Sequence, residues 1–190
     1  MHDRRLVLPV LILTLSLFLP ARAALAWNPI GPTWPDPTAT YDTHTLTSSW
    51  RGVADFGAQQ WDLVSPSPWD WVSNPSSNND IYTGRIDGRG RTLAVTYTYY
   101  QGSTITRSTI KFDSSERWYL GSGNPAGNQV DGRSVAAHEF GHALGLGHTG
   151  GGFCPGNANN ATLCPAYTMG TIYIRSLEAD DRNGVNSLYP

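Results

Sequence analysis

The chain has 190 residues, with 13 basic and 15 acidic side chains, a formal charge of -2 and 39% hydrophobic residues. That length suits one domain able to bury its own core. No basic surplus is available to neutralise phosphates, which excludes nucleic acid as a partner class.

The first 26 residues, MHDRRLVLPVLILTLSLFLPARAALA, run from Arg4 and Arg5 through an apolar stretch, Leu6 to Leu19, to small residues spaced A-x-A. This is the layout of a secretory signal peptide. As a membrane anchor the stretch is too short, because it is interrupted by Pro9 and a span needs roughly 20 residues. Cleavage fits after Ala23 or after Ala26; the second is preferred and makes Trp27 the first mature residue. Removing the segment takes away three arginines and one aspartate, leaving ten basic and fourteen acidic residues and a charge of -4. No later stretch could cross a bilayer, so the expectation is a secreted protein, extracellular or, in a bacterium, periplasmic.

Residues 27–40, WNPIGPTWPDPTAT, carry four prolines and read as an extended arm on the surface of a domain spanning 41–190. In TSSWRGVADFGAQQWDLV the serines suit an N-cap, and Trp50, Val53, Ala54, Gly57, Trp61 and Val64 recur near helical spacing, predicting a helix. SPSPWDWVSNPSSNND reads as loop. DIYTGRI, RTLAVTYTYYQG and STITRSTIKFD are rich in Thr, Ile, Val and Tyr with glycines between them, and predict strands. Further helices are expected at about 134–144 and 176–188. Helix, strands, helix, long loop, helix makes an α+β domain.

Three of the five histidines fall within HEFGHALGLGH, residues 138–148. His138 and His142, four apart, lie one turn apart on one helix face and can reach the same ion. Gly145 can adopt the left-handed conformation that ends a helix, so the chain can bend back and deliver His148. Three neutral imidazoles leave a fourth tetrahedral position open, the mark of a catalytic rather than a structural zinc. Glu139, beside the first ligand, is placed to act on water there as a general base. A satisfied core histidine does not account for three at once, since each buried imidazole needs its own partners. In an exported protein the two cysteines, Cys154 and Cys164, are expected to form a disulfide pinning the Gly/Asn-rich loop between them; free thiols and metal ligation are the less favoured alternatives.

The string His138-Glu139-x-x-His142-x-x-Gly145-x-x-His148 is identified as the signature of the metzincin zinc metallopeptidases. Within them the chain most resembles a matrixin catalytic domain: SLEADDRNGVNSLYP is similar to the last matrixin helix, DGRGRTLAVTY to the calcium-binding loop and following edge strand, and KFDSSERW to the next strand. The resemblance runs from about residue 40 to 190. It implies a twisted, mostly parallel sheet with an edge strand at the cleft, two helices packed on it, and a small C-terminal subdomain with one helix. It also implies that Met169 sits buried in a turn beneath the zinc, and that Asp87, Asp113 and Glu116, with backbone oxygens near Gly88, Gly90 and Thr92, hold calcium. Leu93, Ala94 and Val95 would line the substrate strand, and the stretch from Gly170 to Arg175, with Ile172 and Tyr173 as substrate-binding residues, the wall of the specificity pocket.

Departures from the family matter too. Val95 and Lys111 stand where matrixins hold a second, structural zinc, and His44 is the one histidine left over in the mature chain, so that zinc is not expected. Nor is a cysteine-switch propeptide. The implied activity is zinc-dependent endopeptidase action on proteins or peptides, by a monomer. Alternatives of other classes are a non-catalytic zinc module that binds peptides or proteins, and a zinc hydrolase with a non-protein substrate.

Overall fold

The computed structural model describes residues 27–149 and 161–190. The expected signal segment, 1–26, and Cys154 lie outside the described residues. In chain order the elements are β1 (Asn28–Pro29), β2 (Thr38–Tyr41), α1 (Ser48–Asp62), β3 (Asp70–Ser73), β4 (Ile81–Gly84), β5 (Ala94–Gln101), β6 (Thr104–Asp113), β7 (Trp118–Tyr119), β8 (Val130–Asp131), α2 (Gly132–Leu144), β9 (Leu146–Gly147) and α3 (Ala179–Leu188).

Strands β2 and β3 pair in parallel, and a parallel bridge between Asp42 and Asp80 joins β2 to β4. β4 in turn pairs in parallel with β6, along which β5 runs antiparallel. The order is therefore β3-β2-β4-β6-β5, mostly parallel, with β5 at an edge. β-branched and aromatic side chains alternate along β5 and β6, as strands favour; on β6, Ile110 and Phe112 share the inner face and are fully buried.

Helices α1 and α2 pack together on the inner face. Val53, Ala54, Gly57 and Trp61 are buried on α1 at the expected helical spacing, and Ala58 is buried beside them. The helices touch at Gly57, where a Cβ would come within 2.7 Å of the Ala136 backbone. The last carbonyls of α2 have no partner inside the helix. Trp34 Nε1 donates to that of Ala143 at 2.8 Å, and the Tyr189 hydroxyl to that of Leu144 at 2.6 Å. The proline-rich arm and the C-terminal residues, themselves joined by Trp34 N–H donating to the Tyr189 hydroxyl at 3.1 Å, thus both hold the end of α2.

Several elements differ from the expectations. β3 lies inside the stretch read as loop: Trp71 is 5% exposed, and its N–H is held by Asp62 Oδ1 at 2.7 Å. β2 begins at Thr38, within the residues read as an arm. α1 has Thr47 at its N-cap position, without a side-chain capping bond, and the serines inside its first turn. α3 starts at Ala179 rather than 176, because Glu178 and Asp181 form a reciprocal capping box there. Among the described residues no helix is long and apolar enough to cross a membrane.

Candidate active site

Asp131 caps α2 by accepting from Ser134 N–H at 2.8 Å, which starts the helix two residues before the expected 134. His138 and His142 then fall on one face. Gly145 takes φ 107° at the helix end, a conformation costly for any residue with a Cβ. A Cβ there would also meet the Pro32 carbonyl at 2.9 Å. The chain reverses through β9, which pairs with β1, and brings His148 back to the other two.

The three Nε2 atoms lie 2.9 Å (His138 and His142), 3.2 Å (His142 and His148) and 3.3 Å (His138 and His148) apart. Zinc bonds of 2.0–2.1 Å at tetrahedral angles put ligand nitrogens about 3.3 Å apart, so the donor set fits zinc. Nδ1 of His138 bonds the Thr162 carbonyl at 2.7 Å, and Nδ1 of His142 bonds the Leu146 carbonyl at 2.8 Å. Only an Nδ1–H can donate there, which leaves the Nε2 lone pair for a metal. Burial, reinforced by neighbouring His142, pushes the pKa of His138 well below the usual histidine value and lowers that of His148 as well. Both are therefore neutral near pH 7, the form that ligates. Among the described residues no other group of three His, Cys, Asp or Glu brings its ligand atoms together in this way.

Glu139 is 5% exposed and lines a cleft of 480 Å³ beside the histidines. Burial raises its pKa, while His142 and a hydrogen bond from Thr96 pull it down. The Thr96 hydroxyl lies 2.6 Å from Glu139 Oε2. Leu93, Ala94 and Val95 on and before β5 form one side of the cleft; Val135, Tyr167, Met169 and Ile174 contribute apolar surface. Within the stretch expected to form the wall, Ile174 is the residue that lines the cleft, and Ile172 and Tyr173 are not among its lining residues. A turn closed by Arg175 N–H on the Ile172 carbonyl at 3.1 Å points Ile174 inward, where it is 5% exposed, and leaves Tyr173 42% exposed. Met169 also departs from the expected burial. It lies on the cleft surface at 41% exposure.

The acidic residues of the expected calcium loop are neighbours but do not converge on one point. Asp113 Oδ2 accepts from the N–H groups of Asp87 and Gly88 at 3.2 and 3.0 Å, Glu116 accepts from Gly90 N–H, and Asp87 accepts from the Thr92 hydroxyl at 2.7 Å. Burial raises the Asp113 pKa, but backbone donors from Ser115, Gly88 and Asp87 outweigh it and hold the carboxyl below the usual range. His44 lies against Asp42. Cys164, 2% exposed, is not a free thiol.

Several residues of the site carry no signal in the sequence. Arg175 forks onto Asp131, Nε to Oδ2 at 2.8 Å and a terminal nitrogen to Oδ1 at 2.6 Å, tying the wall to the start of α2. The Tyr167 hydroxyl accepts from Asp131 N–H at 2.8 Å and donates to the Thr171 carbonyl at 2.9 Å. Thr96 and Thr162 hold Glu139 and His138 from distant parts of the chain.

The family model for matrixin, a peptidase family, matches residues 74–190. The chain is 38% identical over 106 residues to matrix metalloproteinase-25 of Mus musculus, covering 55% of this chain and 15% of that protein. To matrix metalloproteinase-20 of Homo sapiens it is 30% identical over 173 residues, covering 83% and 32%. To stromelysin-3 of Mus musculus it is 38% identical over 140 residues, covering 69% and 25%. The chain thus spans a third or less of the length of these relatives.

Proposed function

Because the chain belongs to the matrixin family, we propose that it is a secreted zinc-dependent endopeptidase that hydrolyses peptide bonds in proteins. One observation carries the reading: three imidazole Nε2 atoms within 3.3 Å of one another, beside the buried carboxylate of Glu139, in a cleft along the edge strand β5. His138, His142 and His148 would hold the zinc. When bound, the ion supplies Lewis acidity, polarising a carbonyl and acidifying water.

The rest is the work of the chain's own groups. β5 is hydrogen-bonded only to β6 among the described residues, so its outer edge can take the main chain of an extended peptide, antiparallel, around Leu93 to Tyr97. The apolar surface of Val135, Tyr167 and Ile174 receives a side chain of that peptide. Glu139 takes a proton from the attacking water and passes one to the leaving amine. Casein incubated with the protein is expected to be cleaved, to be spared when a chelator is added, and to be cleaved again when zinc is restored. Stoichiometric zinc with no cleavage would instead support a binding module.

Finer parts of the reading are the mature start, the disulfide, calcium and a monomeric state. Trp27 is 7% exposed and its N–H donates to Asp180 Oδ1 at 3.1 Å; cleavage after Ala26 would put a charged ammonium there. A Cys154–Cys164 bridge would tie the segment after Thr149, which lies outside the described residues, to the buried Cys164. The donors at Asp87, Asp113 and Glu116 suit calcium in kind, but their carboxylates are turned onto the loop's own amides, and calcium enters no step above. Native mass spectrometry of the secreted protein is expected to show one chain starting at Trp27, two hydrogens lighter than the reduced sequence, with one zinc and bound calcium. A start elsewhere, a reduced mass or a calcium-free species would each remove the corresponding part.

A further inference from the structure

Thr96 sits on β5, the strand against which the peptide would lie, and its side chain turns toward α2. A threonine hydroxyl has one hydrogen to give. Two acceptors are in range, both on Glu139: Oε2 at 2.6 Å and the backbone carbonyl at 3.1 Å. The carboxylate oxygen is closer and carries charge, so it takes the hydrogen. Glu139 lies within α2, on a side chain whose terminal torsion is intrinsically broad. In a cleft that buries it, a carboxylate without a donor is costly, and one free to rotate is poorly aimed.

We propose that Thr96 is a positioning residue for Glu139: its hydroxyl anchors Oε2, leaving Oε1 to receive the proton, and so fixes the base to the strand that sets the peptide's register. The proposal rests on the reading of Glu139 as general base. It differs from a packing role, because a valine fills the same space without the hydroxyl.

The test compares the full-length wild type with Thr96→Val, Thr96→Ala and Thr96→Ser, all zinc-loaded, on one peptide substrate. Both hydroxyl-free variants are expected to lose about tenfold in kcat, the size of one hydrogen bond to an ionised group, with KM within about twofold because the strand edge is unchanged. Thr96→Ser, which keeps the donor, stays within about twofold of wild type in kcat. Melting temperatures supply a readout that does not depend on turnover. The drop caused by Thr96→Val is expected to shrink in a Glu139→Ala background, since residues in contact are not additive. Wild-type kcat in Thr96→Val and Thr96→Ala, an equal fall in Thr96→Ser, or equal melting drops in both backgrounds would overturn the proposal. An inactive wild type would instead sink the endopeptidase reading itself. If Thr96→Val does not fold, Thr96→Ala decides the kinetic question and its own melting cycle with Glu139→Ala the other.

Discussion

Glu139→Ala is expected to lower kcat by roughly 10²–10⁴-fold, the usual contribution of a positioned general base, while leaving the metal bound. Among the described residues lining the cleft there is no second carboxylate, and the three histidines are directed at one another through their Nε2 atoms. No neighbouring group can therefore take over the proton. Retention of metal follows because Glu139 is not in the converging donor set, and the carbonyls of Thr162 and Leu146 that orient the imidazoles are untouched by the change. Zinc content by atomic absorption and cleavage of a fluorogenic peptide separate the two halves of the prediction. A variant cleaving at the wild-type rate would remove Glu139 from the chemistry. One that lost its zinc would recast the residue as support for the metal.

What could be read beforehand and what could not divides along sequence separation. The histidine constellation occupies eleven consecutive residues, and its geometry follows from local rules: four residues make one helical turn, and a glycine reverses the chain. The long strands β5 and β6 were legible for the same reason, since their pattern is internal to each. β2 and β3 were not. Each is four residues long and set among prolines, serines and asparagines, and each is a strand only because the other, with Asp42 bridging to Asp80, supplies its hydrogen bonds.

The same division runs through the site. Thr96 reaches Glu139 across 43 positions and Arg175 reaches Asp131 across 44; no spacing rule connects such residues, and a threonine in a strand or an arginine after a turn is unremarkable on its own. Within the wall stretch 170–175, one turn at Arg175 decides which side chain faces inward, and it is Ile174 rather than Ile172 or Tyr173. Met169 differs for a related reason: membership of a turn near the zinc does not dictate burial, and here the side chain lies on the surface of the cleft.

The largest expected effect on stability comes from a residue away from the cleft, Asp181. It is fully buried and accepts three backbone N–H groups: those of Thr162 and Glu178 at 2.8 Å through Oδ2, and that of Leu163 at 3.2 Å through Oδ1. Asp181→Ala strands all three. At about 1–3 kcal/mol for each buried donor left unpaired, the loss is several kcal/mol, a large share of the ~5–15 kcal/mol that holds a domain folded. It also frees Thr162, whose carbonyl fixes the His138 ring, so zinc affinity is expected to fall by about 10–100-fold, as it does when a group supporting a metal ligand is lost. Asp181→Asn keeps one acceptor oxygen and should be milder, with a pH signature. Burial, outweighing the three donors, lifts the Asp181 pKa from 3.8 to about 6. A carboxyl whose folded pKa is raised contributes most below its unfolded pKa and loses that contribution as pH rises through the folded one. The gap in melting temperature between wild type and Asp181→Asn should therefore narrow between about pH 4 and pH 7. A thermal scan across that range, with zinc titrated into the alanine variant, checks both parts; wild-type melting and zinc affinity in Asp181→Ala would show that these three hydrogen bonds hold neither the last helix nor the metal ligand in place.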